Sequence, residues 1–346
     1  MGKRIRILWL IALSLAAGHL PAADDEGMQH LRISTEMRTD YRNDLGYPGT
    51  GVTTGDNGLR VNNLFLRIDG RIDDHVTYAF RQRLNRMNPD PSVMASIDWA
   101  QLIWSPNERW SFAAGKQVME VGSMEYDANP NDVFRYSEWI QQAQAYQLGT
   151  SVTRRFGTDD EVIFQITQSL CDNEALHRYF SYNASWRHTG TGVWRPYYSV
   201  NLHQYAPRSF MAMTALGNRF FFGRYWFCLD WVQRSTLHHI RTTGRPAEDF
   251  TIIGCADWRV TDHVTLTIEG SYDHNADDAD DCLAFVGTSL GVIGGGILWY
   301  PAADKRYRFH ATFNHTFGQN APQGTLPAGA WGLNIGLTWR LNLINN

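Results

Sequence analysis

The sequence predicts an all-β protein: a transmembrane antiparallel β-barrel of about 16 strands, made with a cleaved signal peptide. Three observations support this fold class. The N-terminus has the pattern of an export signal, apolar and polar residues alternate along the whole chain, and short turns alternate with long links. Together these patterns favour a barrel in a membrane over a soluble sandwich.

The first 23 residues have the pattern of a secretory signal peptide. Three basic residues within the first six positions precede an apolar stretch over residues 7–20, and the small residues Ala22 and Ala23 follow it. This stretch is shorter than the ~20 residues that a membrane-spanning helix needs. We therefore predict cleavage near Ala23, with residues 24–346 forming one barrel domain.

The composition of the chain is rich in aromatic residues without being apolar overall. Aromatic residues make up 13% of the sequence, yet the mean hydropathy is −0.36. No apolar run after residue 23 is long enough to cross a bilayer as a helix, and a closed barrel is the other structure that satisfies its backbone in lipid. A secreted soluble β protein is the alternative. The excess of 35 acidic over 31 basic residues argues against a nucleic-acid-binding protein.

Apolar and polar residues alternate with a period of two, as they do in β-strands. The pattern is clearest in residues 331–342, where the odd positions are apolar and the even positions are small or polar. It recurs in residues 31–42, where the even positions include Arg32, Glu36 and Asp40. Strands of about 10 to 13 residues exceed the usual ~5–6 of soluble sheets and suit a tilted membrane-spanning strand. The apolar face would then contact lipid, and the polar face would line the lumen.

The predicted connections are alternately short and long, which is typical of outer-membrane barrels. Short turns are predicted at residues 73–75, 106–109, 158–161, 190–192, 261–263 and 302–305. Long links are predicted at residues 43–59, 88–96, 122–146, 237–248, 275–281 and 319–329. The alternation is weakest over residues 210–222 and 282–300. Aromatic residues near strand ends would form interfacial girdles; they are Tyr41, Trp104, Trp110, Trp194, Tyr205, Trp258, Tyr300 and Trp339.

Four cysteines lie in the exported part of the chain, at positions 171, 228, 255 and 282. They lack the C-x-x-C spacing of a metal site, and an oxidising compartment permits disulfides. Cys228 and Cys255 lie about symmetrically around the link at residues 241–248, so they could be neighbours on paired strands. Disulfide-bonded and unpaired states both remain open at this stage.

A barrel of about 16 strands is wide enough for an aqueous channel, so an additional element must narrow it. The longest internal link, Gly122 to Tyr146, is the third long link along the chain. We predict that it folds into the barrel as a constriction; an exposed loop over the mouth is the alternative. Its polar candidates are Glu125, Tyr126, Asp127, Asp132, Arg135 and Glu138.

Basic residues recur on the predicted lumenal face, and such side chains can favour anions. The candidates are Arg32, Arg38, Arg67, Arg81, Arg83, Arg187, Arg308 and Arg340. Acidic residues share this face and could instead pair with the arginines and brace the wall: Glu36, Asp40, Asp69, Asp98, Asp230, Asp257 and Glu269. Arg81 and Arg83 have no acid nearby in sequence, which makes them the best candidates for solute contact.

Enzymatic and metal sites find little support. Ser235, His238 and His239 are close in sequence, but there is no G-x-S-x-G elbow. The aspartates at positions 278, 280 and 281 do not match the calcium-binding EF-hand spacing. We therefore expect no catalytic residue, metal or cofactor.

One segment resembles a known family. The run Asp98 to Trp104, the turn Ser105 to Trp110 and the run Ala114 to Val118 are similar to the early hairpin of the phosphate-selective porin O/P-like group. Residues 125–138 resemble the segment that leads into the third loop of that group. The resemblance implies a 16-stranded outer-membrane porin with an inward-folded third loop and a homotrimeric assembly.

The resemblance does not carry over a phosphate site. Phosphate channels of this group have a lumenal arginine ladder and a lysine-rich entrance, whereas this chain has mixed lumenal charge and few lysines. Lys116 is the main inner lysine, and under strict alternation it shares the face of Phe112 and Ala114. Its placement in the lumen therefore requires a bulge or another local irregularity.

The leading functional hypothesis is passive diffusion of small hydrophilic solutes or ions across the outer membrane, with an anion preference if the arginines outweigh the acids. The alternative is a structural or adhesive barrel that is plugged by residues 122–146 and acts through its outer loops. A barrel enzyme acting on lipids is a third hypothesis. The expected partners are the lipid bilayer, small solutes or ions, and two further copies of the chain.

Overall fold

The computed structural model describes residues 30–46, 57–85, 93–171, 178–276, 283, 285–302 and 304–345. The predicted signal peptide, the aspartates at positions 278, 280 and 281, and the cysteine at position 282 lie outside the described residues. Four short helices occur in the described part: α1 (Val93–Ser96), α2 (Met124–Asp127), α3 (Glu138–Gln142) and α4 (Leu237–Thr243). None of the described helices is long and apolar enough to cross a membrane.

Sixteen antiparallel strands form a closed barrel in which each strand pairs with its neighbours in sequence and the first strand pairs with the last. The strands are β1 (His30–Gly46), β2 (Gly58–Arg71), β3 (Val76–Arg83), β4 (Ile97–Asn107), β5 (Trp110–Val118), β6 (Tyr146–Phe156), β7 (Asp160–Gln168), β8 (Phe180–His188), β9 (Trp194–Ala206), β10 (Ser209–Phe222), β11 (Tyr225–Thr236), β12 (Asp249–Arg259), β13 (Val264–Asn275), β14 (Ser289–Trp299), β15 (Tyr307–Gln319) and β16 (Ala330–Asn345). The predicted fold class is confirmed.

The two faces of the barrel wall have the inverted polarity of a membrane barrel. On β15, Phe309 and Phe313 are exposed on the outer surface, while Arg308, His310 and Thr312 are buried inside. Of the aromatic residues predicted for the girdles, five are exposed: Tyr41, Trp104, Trp194, Tyr205 and Trp258. Tyr300 is an exception, because it lines an internal recess beside Arg308.

Most connections follow the predicted alternation of short and long. Two differ: β9 and β10 join through the tight turn Pro207–Arg208 at the long-loop end, where Arg208 has a φ of 61°. The link between β7 and β8 is long, which the sequence analysis did not anticipate. The link after β11 begins with α4. The Thr236 side chain caps the N-terminus of this helix by accepting a hydrogen bond from His239 N, and Gly244, with a φ of 68°, caps its C-terminus.

Candidate functional site

The connection between β5 and β6, residues 119–145, lies inside the barrel and is called loop 3 below. It first follows the inner wall at Gly122, whose backbone N donates to Ser199 Oγ at 3.0 Å. A Cβ atom at Gly122 would lie 2.3 Å from the carbonyl O of Tyr197, and one at Gly217 would lie 2.6 Å from the carbonyl O of Gly122. Glycine at both positions therefore permits this close approach of backbone to backbone.

Loop 3 packs an apolar surface against one side of the lumen. Its fully buried Trp139 stacks on Tyr126 with ring centroids 5.3 Å apart. These side chains belong to a buried cluster that also contains inward-facing residues of the wall: Met211, Met213 and Ala215 of β10, Cys228 and Val232 of β11, and Ile253 of β12. The inner face of β10 to β12 therefore carries apolar side chains where the loop covers it.

Lumenal carboxylates hold the loop backbone. Asp273 of β13 accepts from the backbone N atoms of Glu138 and Trp139 at 2.9 and 3.3 Å. Glu269 accepts from Phe134 N at 3.2 Å, and Asp230 accepts from Met124 N. These acids therefore orient loop 3, a role that their sequence pattern did not indicate.

Arginines of β1, β15 and β16 hold the middle of the loop. Arg308 and Arg340 both bind Asp132, with Arg340 Nη2 at 2.7 Å from Oδ1. Arg38 donates to the carbonyl O of Val133 at 2.8 Å and pairs with Asp40 at 2.7 Å. Loop 3 therefore crosses the lumen from β9–β11 to β1, β15 and β16.

Glu138 joins loop 3 to the last long loop, between β15 and β16. Its carboxylate accepts from Thr325 N at 2.7 Å, from Leu326 N at 2.8 Å and from Asn320 Nδ2 at 3.0 Å. Its side chain is buried. The two loops are therefore held together at the long-loop end.

Loop 3 leaves open space on the other side of the lumen, along β2 to β8. A cavity of about 940 Å³, called the vestibule, lies at the short-turn end beside Arg67, Gln101, Ser111, Glu161 and Arg187. A second cavity of about 550 Å³, the upper cavity, lies at the long-loop end and is lined by Asn63, Arg83 and Lys116 of the wall and by Glu125 and Tyr136 of loop 3.

The wall between the two cavities carries the segment called the throat: Phe65, Arg81, Arg83, Asp98, Trp99 and Tyr146. Arg81 Nε is 2.9 Å from Asp98 Oδ2, and Arg83 Nη2 is 3.4 Å from Asp98 Oδ1. Arg81 Nη2 donates to the Tyr146 hydroxyl at 2.5 Å. Although no acid is near these arginines in sequence, Asp98 pairs with both, because a register shift between β3 and β4 after Arg81 brings Asp98 inward.

The other predicted pore-lining residues differ in accessibility. Arg32, Arg67 and Arg187 line the vestibule, and Arg340 lines a smaller cavity beside Glu36. Arg38 and Arg308 also point into the barrel but are each only 3% exposed because they hold loop 3, and Arg81 of the throat is only 7% exposed. Lys116 borders the upper cavity, but β5 keeps its register with β6 there, and Lys116 is opposite Leu148, which is 51% exposed on the outer surface, so the bulge that a lumenal placement requires is absent at this pair.

The predicted constriction residues lie inside the barrel, with distinct environments. Asp127 accepts from Arg219 at 2.6 Å, and Glu125 accepts from Ser137 N at 2.8 Å and from the Ser137 hydroxyl. Burial lowers the pKa of Arg135 to about 10. Arg308 and Arg340 keep the pKa of Asp132 below its usual range despite burial. Several of these groups therefore stabilise the loop rather than face open water.

Glu125 gives loop 3 a pH-dependent component of stability. Burial raises its pKa from 4.5 to about 8; Ser137 opposes this shift, and the carboxylates of Asp273 and Glu269 support it. While loop 3 is packed against the wall, Glu125 keeps a proton that it would release if the loop moved away into water. The packing of loop 3 therefore weakens as the pH rises from about 4.5 through about 8. We expect more single-channel current noise at pH 9 than at pH 6, and less pH dependence in Glu125→Gln. Identical pH dependence in both proteins would contradict this role.

The structure also shows the state of the cysteines and of the Ser235 and His239 side chains. Cys228 and Cys255 form a disulfide between directly opposed residues of β11 and β12, beneath loop 3, and Cys171 is also disulfide-bonded. His239 Nε2 is 3.0 Å from Glu248 Oε2, while the Ser235 hydroxyl donates to the carbonyl O of Thr236. The Ser235 hydroxyl is therefore engaged with the backbone, and His239 with an acid.

Comparison with known proteins supports the early-hairpin resemblance. The family model described as phosphate-selective porin O and P matches residues 32–193, which confirms the predicted resemblance over that segment. No curated protein sequence matches the chain. The family match and the fold point to a channel rather than an enzyme.

Solved structures similar to this barrel include three outer-membrane proteins. The anion-selective porin from Comamonas acidovorans has a TM-score of 0.60 at 12% identity, covering 90% of this chain and 99% of its own. The outer membrane channel DcaP of Acinetobacter baumannii has a TM-score of 0.61 at 11% identity, covering 92% and 99%. OmpT of Vibrio cholerae has a TM-score of 0.59 at 10% identity, with the same coverage. At these identities the likeness establishes the fold alone.

Proposed function

We propose that this chain, whose residues 32–193 match the porin O and P family on a complete 16-stranded barrel, is an outer-membrane porin. Small hydrophilic solutes or ions diffuse passively through it without a cofactor. The observation that carries this proposal is the asymmetric filling of the lumen. Loop 3 packs against β10 to β12, whereas cavities of about 940 and 550 Å³ remain on both sides of the throat.

The proposed path prefers anions because the open side of the lumen carries more basic than acidic groups. Among the described residues that line the vestibule, five are arginines and three are acids. In the throat, Arg81 and Arg83 share the single acid Asp98. The recess beneath loop 3 on the filled side has the opposite balance, with four acids and three arginines in its described lining. Fixed charges beside a narrow path bias which ions enter it.

Removal of the throat arginines tests the proposed anion preference. We expect Arg81→Gln and Arg83→Gln each to reduce the chloride-to-potassium permeability ratio about threefold, because each removes one cation beside the path. The ratio is obtained from the reversal potential of single channels in a salt gradient. Arg219→Gln is the matched control, since Arg219 is a lumenal arginine on the filled side that pairs with Asp127. An equal effect of all three substitutions would contradict a path through the throat.

The competing proposal is a barrel plugged by loop 3 that acts through its outer loops. The dense anchoring of the loop by Asp230, Asp273, Arg308 and Glu138 favours this alternative. Liposome swelling separates the two proposals, because a plugged barrel admits no small sugar. Swelling at a rate above that of protein-free liposomes supports diffusion, and no swelling with folded barrel supports the plug.

Four finer features complete the proposal. Residues 1–23 act as a cleaved signal peptide, and the mature chain spans the outer membrane as one domain. Assembly into a homotrimer follows from the family resemblance, and crosslinking of the detergent-folded protein tests it. We expect no hydrolytic activity toward lipids.

A further inference from the structure

We infer that the solutes favoured by this pore are small monocarboxylates with a flat apolar body, such as aromatic acids. The carboxylate would face the arginines of the vestibule and throat, and the body would lie against the apolar side chains beside them. This inference rests on the proposed porin function and names the solute class of the same path.

Apolar side chains interrupt the polar inner face on the open side of the lumen. Ala79, Trp99, Ile103 and Ala113 all line the vestibule and are partly exposed. The inner face of a water-filled barrel is ordinarily polar. Unlike the apolar residues of β10 to β12, these do not belong to the buried cluster that loop 3 covers. They therefore provide apolar surface that a solute can cover on its way through.

Guanidinium groups lie beside aromatic rings at the same place. The Cζ atom of Arg81 is 3.7 Å from the ring centroid of Trp99 and 4.6 Å from that of Phe65. Arg67, whose side chain is 52% exposed, has its Cζ atom 5.7 Å from the Trp99 centroid. In register across three strands, Arg67 is opposite Arg81, and Arg81 is opposite Trp99. A row of cation, cation and ring thus lies on the inner side of the wall, and in it Arg67 is accessible whereas Arg81 is only 7% exposed.

Such a row matches the two halves of an amphipathic anion. Arg67, the accessible cation of the row, offers N–H donors to a carboxylate. The ring and the neighbouring aliphatic side chains offer surface to an apolar body, which gains free energy when it leaves water. The vestibule, at about 940 Å³, is within the size range of small-molecule sites.

The same groups fit an inorganic dianion less well. Arg67 pairs with Asp69 at 2.6 Å, and Arg81 and Arg83 share Asp98, so each arginine of the row already faces a carboxylate. A dianion would meet these acids at close range without any gain from the apolar surface. A monoanion with an apolar body is repelled less and gains from the ring, which makes it the better fit.

Solute block of the chloride current tests this inference on the full-length mature protein. Benzoate, acetate and inorganic phosphate are added separately to single channels in potassium chloride. We expect benzoate to reach half-block at a concentration about tenfold below that of acetate or phosphate, the ratio that one aromatic or cation–ring contact typically provides. Trp99→Leu should remove most of this difference. Trp258→Leu, at an exposed tryptophan of the outer surface, is the matched control.

The outcomes separate the solute class from the porin function itself. Steady chloride conductance with equal block by benzoate and acetate would overturn the inference and leave the porin function standing. Stronger block by phosphate than by benzoate would assign the site to inorganic anions instead. No conductance at all would refute the porin function. If Trp99→Leu fails to insert, Ile103→Thr removes apolar surface from the same vestibule and should reduce the benzoate preference.

Discussion

Replacement of Asp98 by Asn should raise the anion preference of the pore about threefold to tenfold. Asp98 is the acid that Arg81 and Arg83 share, at 2.9 and 3.4 Å, and it is 1% exposed. A unit charge roughly 8 Å from a permeating ion contributes about 2 kcal/mol at an effective dielectric constant of about 20, and water and salt in the pore screen part of it. The change is measured as the chloride-to-potassium permeability ratio.

Asp69→Asn is the matched control for this substitution. Asp69 pairs with Arg67 in the vestibule, where the wider and wetter surroundings screen its charge more strongly. The chloride-to-potassium permeability ratio should therefore rise less in Asp69→Asn than in Asp98→Asn. An unchanged ratio in Asp98→Asn, or a shift toward cations, would show that the throat does not set selectivity.

Replacement of Trp139 by Ala should release loop 3 from the wall. Trp139 is fully buried, stacks on Tyr126, and lies with the Arg234 guanidinium 5.6 Å from its ring centroid. Truncation of a buried tryptophan typically costs about 3–5 kcal/mol. We expect larger and noisier single-channel currents and faster proteolytic cleavage within residues 119–145, while the barrel itself remains folded.

Trp258→Ala controls for the loss of a large aromatic side chain elsewhere. Trp258 is 42% exposed on the outer surface and stacks on Tyr225 of the neighbouring strand. The substitution Trp258→Ala should leave the single-channel conductance and the proteolytic cleavage of loop 3 unchanged. If Trp139→Ala also leaves both unchanged, the apolar cluster does not hold the loop in place.

The barrel could be predicted from sequence because alternation and turn chemistry are local. The strand count, the even number of strands and the inward course of the third long link all follow from patterns that extend over ten to thirty residues. The weakest alternation, over residues 210–222, has a physical reason. Met211, Met213 and Ala215 of β10 point inward yet are apolar because loop 3 covers them, so both faces of that strand have the same character.

The contacts of the lumen could not be predicted because they join distant parts of the chain. Asp98 reaches Arg81 and Arg83 through a register shift that no spacing in the sequence indicates. Arg308 and Asp132, 176 residues apart, meet because the loop crosses the barrel. The predicted alternative, in which acids pair with lumenal arginines, holds for Asp40, Asp69 and Asp98, whereas Asp230 and Glu269 bind the loop backbone.

Single-channel recording of the wild-type protein in a planar bilayer tests the central claim most directly. An aqueous path narrowed by loop 3 and bordered by arginines predicts steady conductance steps and a reversal potential that favours chloride in a potassium chloride gradient. A folded barrel that gives no conductance steps, or steps with a reversal potential favouring potassium, would contradict it.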